Sequence, residues 1–518
     1  MGKILIRKNT KNLFETILIG AIFASFLGLI TNFFFPLNPK INSIILSLTI
    51  IFFIYKKLKI SLDEIKILLL LSLISFSITL FDTVNRPDAY LYHLPYTHIL
   101  NENKIIIGLS NLHFRYAHIS LLQYLSAINY THMFNQNSIL APLAVLWTVC
   151  AMYFGYDIYK LINKKEKIAV GKIFSVLILI YIAYKINRYS EFGNDAIAHL
   201  FFFIIVSKFL YYKSGNKFDF YTINLYCAFC ISNKIFLGLS ILIPSYIFFK
   251  EKLDIIKITK TLPAWIILLW IIKNIFVSGC LIFPIKITCS EFYLWTNVKQ
   301  IERESLSGEA WAKSWPQRNN KKISMEDFNK NFNWIEAWSK IHFKQILVII
   351  IPYFLIIFLL YTYYRGGELI KKDKNKIIFV FLMSLLGNIL FFLKFPTYRY
   401  GYSYLIILLS IIFINYLKNL NLKRFFYSSK IILILIIIII SSKQMKRYFE
   451  YYQTRHPIPL INFNEEKDIN KKYKKIIVND QFHYYWSDIM CMYYLAPCTS
   501  QNPPELSYKK VFGYHLLY

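Results

Sequence analysis

Residues 12–35 read NLFETILIGAIFASFLGLITNFFF, and Glu15 is the only charged residue in the run. A helix needs about 20 mostly apolar residues to cross the hydrocarbon of a bilayer, and this run supplies them. It is too long for the apolar core of a cleavable signal and no small-residue cleavage site follows, so it is expected to stay in the chain. Outward from it, similar runs recur at 41–55, 65–81, 139–159, 168–186, 196–212, 220–232, 235–249, 262–278, 346–364, 377–393, 402–417 and 431–442. The run at 220–232 is the weakest and also reads as half of a broken helix. The expected fold is an all-α polytopic membrane protein with about thirteen transmembrane helices (roughly 11–13).

Composition agrees. Of 518 residues, 56% are hydrophobic and 17% charged, with mean hydropathy +0.41, against about 45–50% and about 25% in soluble domains. An ordinary soluble enzyme, a disordered chain and a small disulfide scaffold are thereby excluded. Sixty Lys and Arg against 29 Asp and Glu give +31. A nucleic-acid binder would gather such charge on one soluble face. Here it falls in short clumps between apolar runs, so no nucleic acid is expected as a partner.

The clumps carry topology. With the N-terminus cytoplasmic, alternate connections hold Lys56, Lys57 and Lys59; Lys160 and Lys164; Lys208, Lys213 and Lys217; Lys250, Lys252, Lys257 and Lys260; Lys372, Lys374 and Lys376; and Lys423, Arg424 and Lys430. That is the positive-inside pattern, and it survives every span. The expectation is a multi-pass protein of the bacterial inner membrane. Residues 1–442 form the membrane domain, with outer loops at 82–138 and 279–345, and 443–518 form a non-cytoplasmic tail. Two cysteine pairs fall on the outer side, where disulfides persist. Cys280 with Cys289 and Cys491 with Cys498 are expected to close short loops, free thiols being the alternative. Cys150, Cys227 and Cys230 fall within spans as small buried hydrophobes.

The densest polar stretch, Arg86-Pro87-Asp88-Ala89-Tyr90-Leu91-Tyr92-His93, opens the first outer loop. Pro87 suits the first position of a helix, and Asp88 with Tyr92 would share a face. Asp88 then reads as a general base or a divalent-cation ligand, or simply as a helix cap. Five histidines (His93, His98, His113, His118, His132) share this loop. Their spacing does not suit a zinc helix, so hydrogen bonding to a polar substrate or loop packing is expected instead. Apolar residues between Ile119 and Phe134 have helical period and suggest a helix lying on the membrane surface. Asp195 heads a later span at its outer end, with Asn194 available as the cap. Arg188, Lys234, Lys273, Lys394 and Arg399 sit at the same depth. Arg399, among aromatics, reads either as a fork for phosphate oxygens or as an interfacial anchor. The tryptophans of 279–345 suit sugar stacking or anchoring.

Together, Asp88-x-x-x-Tyr92-His93, the outer Asp195, Lys273-Asn274-x-x-x-Ser278-Gly279-x-x-x-x-Pro284 and Pro396-x-x-Arg399-Tyr400 resemble the GT-C glycosyltransferases, membrane enzymes that use polyprenyl-phosphate-linked sugars. More narrowly, the tail segment Ala496-Pro497-Cys498-Thr499 resembles a family of uncharacterised bacterial multi-span proteins. The resemblance implies inverting transfer of a sugar from a polyprenyl-phosphate donor to a saccharide or lipid acceptor of the cell envelope. It implies Asp88 and Asp195 as catalytic carboxylates, Asp88 as the position for any divalent cation, and Tyr92, His93, Arg399, Lys273 and Lys234 as substrate contacts. A transporter or flippase of lipid-linked saccharides is the alternative. It would place ionisable groups near mid-bilayer in two repeated halves, and no internal repeat is visible. A scaffold with docking loops is a third class.

Overall fold

A computed structural model describes residues 1–5, 12–80, 88–164, 169–185, 193–369, 372–417, 419–454, 473–488, 490–502 and 504–518. Pro87, Arg188 and the start of the first outer loop lie outside these residues. The protein is mostly helical. The longer helices are α1 (Leu13–Phe34), α2 (Pro39–Tyr55), α3 (Leu62–Leu80), α4 (Leu94–Glu102), α5 (Leu121–Ala127), α6 (Ala141–Lys164), α7 (Val170–Tyr184), α8 (Asp195–Tyr211), α9 (Lys217–Asn233), α10 (Leu242–Glu251), α11 (Leu262–Ser278), α12 (Val298–Ala312), α13 (Lys344–Tyr364), α14 (Lys374–Lys394), α15 (Tyr398–Tyr416) and α16 (Leu422–Thr454).

Over the described residues each apolar run identified in the sequence is helical, with a 3-10 turn at Ile235–Ile241. Among the described residues five helical stretches are long and apolar enough to cross a membrane: Leu13–Phe34, Gln136–Lys160, Ile335–Tyr364, Lys374–Lys394 and Leu422–Lys446. Pro39–Tyr55, Val170–Tyr184 and Leu262–Ser278 are shorter apolar helices. Helix α9 runs to Asn233, and Lys234 then takes an extended backbone (φ −151°, ψ 99°) before a short turn at Ile235–Ile241 leads into α10.

Local chemistry sets the helix ends. Asn12 and Asn38 accept from the backbone N–H groups of Phe14 and Ile41 at 3.0 Å each, satisfying donors that a helix start leaves free. Ser61 and Glu64 form a reciprocal capping box before α3,. Helix α8 is buried along nearly its whole length, as expected of a helix apolar on every side. Around it, α2, α13 and α16 expose Ile51, Ile54, Phe354, Phe358, Ile434 and Ile437. Such an apolar exterior fits lipid rather than water.

The loops sort into two ends. At one end Lys3 bonds Glu64 at 2.6 Å and Lys208 bonds Glu15 at 2.5 Å. There too Lys376 donates to the Tyr212 carbonyl at 2.5 Å, and Arg365–Leu369 pairs with Asn419–Leu420 as strands β1 and β2. All of these belong to the lysine-rich connections. At the other end residues 88–138, the 279–345 segment and the tail pack on one another. Asn111 donates to the Trp295 and Leu517 carbonyls, and Tyr116 to that of Cys498 at 2.5 Å.

Both expected disulfides form, and Cys150, Cys227 and Cys230 are buried and free. The all-α expectation misses several small sheets. In the tail β3 (Lys474–Asn479), β4 (Phe482–Trp486) and β5 (Cys498–Thr499) form one sheet, and β6 (Tyr508–Val511) with β7 (Tyr514–Leu517) form another. The tail boundary also moves, since α16 continues past 442 to Thr454.

The C-terminal strand β7 is held on two sides, by β6 and by the first loop. Ile107 bridges Leu516 in parallel: its N–H donates to the His515 carbonyl at 2.8 Å, and Leu517 N–H donates to the Ile107 carbonyl at 2.9 Å. Gly108 permits this approach: its φ is +71°, and a Cβ there would lie 2.0 Å from the Leu517 carbonyl oxygen. The expected surface helix at 119–134 is instead the short α5, whose residues are all buried. The buried face of α1 takes up the apolar side chains that a surface helix would have given to lipid.

Candidate functional site

Asp88 precedes a single wide helical turn, Ala89–His93, that runs directly into α4. Such π-type turns often mark functional positions. Asp88 makes no side-chain cap bond, so the capping alternative fails. Its carboxylate instead accepts from Arg399 Nη1 at 3.0 Å, linking elements 311 residues apart. Asp195 likewise does not serve as the cap. It pairs with Lys234, at the junction that follows α9, while Asn194 donates to the Asn233 carbonyl at 2.6 Å. The two carboxylates and two of the expected cations therefore meet at one end of the bundle, each carboxylate with its own cation.

Aromatic rings line the pairs. Arg399 donates to the Tyr400 hydroxyl at 2.8 Å, and the Lys234 ammonium lies 4.3 Å from the Tyr400 ring centroid. His199 sits beneath, bonded to the Arg399 carbonyl at 3.0 Å and the Ser403 hydroxyl at 2.7 Å. Trp338 donates to the Pro396 carbonyl and Thr397 to that of Ala312, fixing the turn that presents Arg399. His93 is buried beside Tyr92 and bonded to Gln123 at 3.3 Å.

Burial alone would raise the Asp88 pKa. The Arg399 guanidinium, aided by Arg115, outweighs it and holds the carboxyl below the usual range,. Burial pushes His93 down to about 4, so the imidazole is neutral at pH 7. Burial first and then the Asp88 charge raise Tyr92 above an ordinary phenol.

Arg115 is the member that sequence reasoning missed. Its guanidinium lies 5.0 Å from the Tyr92 ring centroid and 5.1 Å from that of Phe114. Among the described residues it has no carboxylate partner within ion-pair distance. The signal was present in His113-Phe114-Arg115-Tyr116, an arginine among aromatics like Arg399.

Other expectations are corrected. Lys273 does not join the cluster. Its ammonium is buried, donates to Asn32 Oδ1 at 2.9 Å and lies 5.5 Å from the Tyr124 ring centroid. Lys394 pairs with Glu309 at 3.2 Å. The loop histidines disperse: His98 stacks on Tyr493, and His113 accepts from the Arg115 backbone. Among the described residues no three His, Cys, Asp or Glu side chains gather to hold a metal ion. With each carboxylate already facing a cation, the site does not fit a divalent cation at Asp88. Trp334 and Trp338 are core residues packed on Phe392, whereas Trp311 is exposed.

The family model described as a domain of unknown function (DUF8201) matches residues 1–406. The chain belongs to this family. No curated protein and no solved structure matches it. Asp88, Arg115, Asp195, Lys234 and Arg399 all lie within the DUF8201 match. The C-terminal strands that brace the first loop lie beyond it.

Proposed function

We propose that this DUF8201 protein is a GT-C-like integral membrane glycosyltransferase of about thirteen spans, with its site on the non-cytoplasmic face of a bacterial inner membrane. The observation that carries the reading is the half-exposed Asp88–Arg399 pair, flanked by Asp195–Lys234 and by the Arg115 guanidinium, which has no carboxylate partner among the described residues. A carboxylate beside surplus guanidinium groups suits a reaction between a hydroxyl and a phosphate ester.

The polyprenyl tail of the donor lies in the bilayer and its phosphate is held by Arg115 and Arg399, whose planar forks match phosphate oxygens. An envelope saccharide or lipid hydroxyl attacks the anomeric carbon from the opposite side. The carbon–oxygen bond to phosphate breaks, polyprenyl phosphate leaves, and the hydroxyl proton passes to Asp88. While paired with Arg399, Asp88 is a poor base because its pKa is lowered. Phosphate that draws Arg399 away releases the carboxylate and raises its proton affinity, so donor binding switches the base on. Asp195 holds Lys234 in place, and Trp311 offers a ring for sugar stacking.

The test is transfer from a synthetic polyprenyl-phosphate sugar to envelope acceptors by the purified full chain in nanodiscs. A new glycosidic bond supports the proposal. Movement of the donor across the bilayer without bond formation supports the flippase instead.

A further inference from the structure

The segment that leaves α11 closes on itself. Cys280 and Cys289 are disulfide-bonded and pair as an antiparallel bridge. Leu281 N–H donates to the Thr288 carbonyl at 2.9 Å, and the Thr288 hydroxyl to that of Ile282 at 2.9 Å. The exit is tied down as well: Trp295 Nε1 donates to the Ile275 carbonyl at 2.9 Å and its ring stacks on Tyr293. This hairpin has two unlike faces. Inward, Phe283 is buried and meets the His118 ring edge-on at 5.1 Å. Outward, Ile287 is 93%, Phe292 89% and Leu294 60% exposed. The closed ring fixes Ile287 outward, and the Tyr293–Trp295 contacts hold the exit on which Phe292 and Leu294 lie.

Position decides what covers them. Helix α11 is one of the shorter apolar helices, and Gly279 ends it with φ +76°, where a Cβ would lie 1.7 Å from Thr296 Oγ1. The hairpin therefore starts where an apolar helix ends, at the depth where Tyr and Trp favour the headgroups. Lys286, ion-paired with Glu302 at 2.9 Å, marks its polar margin. Helix α11, from which the hairpin leaves, itself exposes Trp265 and Leu268, an exterior that fits lipid. We propose that hairpin 280–294 is an interfacial anchor that buries Ile287 and Phe292 at the headgroup–acyl boundary of the leaflet at this end. Because Phe283 on its other face touches His118 of the first outer loop, the anchor also fixes the depth of that loop relative to the lipid phosphates.

This inference rests on the membrane orientation proposed above, not on glycosyl transfer. The test uses full-length Ile287→Cys, Phe292→Cys and Lys321→Cys variants, the last in an exposed polar stretch of the same loop. Each is labelled with an environment-sensitive fluorophore and reconstituted into phosphatidylcholine–phosphatidylglycerol nanodiscs. Labels at 287 and 292 are expected to be quenched by a spin label at acyl carbon 5 and shielded from aqueous iodide, with 321 the reverse. Iodide quenching at 287 and 292 equal to that at 321 overturns the anchor. Shielding from both quenchers overturns it too, in favour of a protein partner. Lipid quenching in a protein that transfers no sugar keeps the anchor and removes only the enzyme.

Discussion

Replacing Asp88 by Asn keeps the side chain's shape and removes its charge, which separates structural from chemical importance. The Asp88 and Arg399 side chains are 37% and 35% exposed. A pair so open to solvent contributes about 0.2–1 kcal/mol to stability. Its sign follows from the lowered Asp88 pKa: the contribution is present above the unfolded carboxylate value, about 3.9. It is lost as pH falls through the lower folded value. At pH 7, D88N should therefore unfold within a few degrees of the wild type. Loss of a positioned general base costs about 10²–10⁴ in rate, or roughly 3–5.5 kcal/mol of barrier. In nanodiscs, turnover at saturating donor should fall by that factor while donor affinity holds or rises, because Arg399 is left free for phosphate. The pH profile adds a second check. In the free enzyme the acid limb belongs to an Arg399-paired carboxylate and lies below the usual carboxylate range. With donor bound it should move upward. A folded D88N variant with undiminished turnover would refute the assignment of the base and the phosphate-triggered switch with it.

Buried neutral histidines predict acid sensitivity. Burial lowers His93 and His98 to about 4 and His113 to about 3. Each should cost up to about 1.4 kcal/mol per pH unit as pH falls from roughly 6.5 towards its folded value; a melting temperature that is flat from pH 7 to 5 contradicts this. Gly108→Ala should displace the C-terminal strand, by the overlap with the Leu517 carbonyl described above, and speed hydrogen exchange at Leu516 and Leu517. Unchanged protection there would mean that this docking is wrong. Lys208→Met leaves Glu15 buried without its 2.5 Å partner and should destabilise the chain by about 3–5 kcal/mol. Lys208 also pairs with Asp219 at 3.1 Å; the added change Glu15→Gln should recover part of the loss in thermal unfolding, and a single variant as stable as wild type would show that these pairs do not hold the fold.

Much of the architecture was legible because lipid leaves a chain few options. Backbone groups in hydrocarbon must bond within their own segment, so an apolar run such as 377–393 has to be a helix. Lysine alternation then assigned each connection to one end, and the contacts of Lys3 with Glu64 and of Asn111 with Leu517 fall on the ends so assigned. The β7 strand was not legible. It is held by backbone bonds to β6 and to Ile107, which any side chains permit, and Tyr514-His515-Leu516-Leu517 carries no alternation that would announce it. Arg115 escaped for a related reason. The loop around it consists of single turns, too short for any period to show which face each residue takes.

Lys273 shows where the sequence argument stops. Alternating charge and span length fix a residue's height along the bundle axis, and by height Lys273, Lys234 and Arg399 are equivalent. They say nothing about azimuth. That depends on which helices are neighbours, and so on the packing of the whole bundle. The structure turns Lys234 towards Asp195 and Tyr400, Arg399 towards Asp88, and Lys273 towards Asn32 on α1. Height alone correctly brought Asp88 and Arg399 together because each carries a charge that needs a partner in a half-dry setting. Lys273 had no carboxylate at its own azimuth to find, and it settled for an amide oxygen and the face of Tyr124.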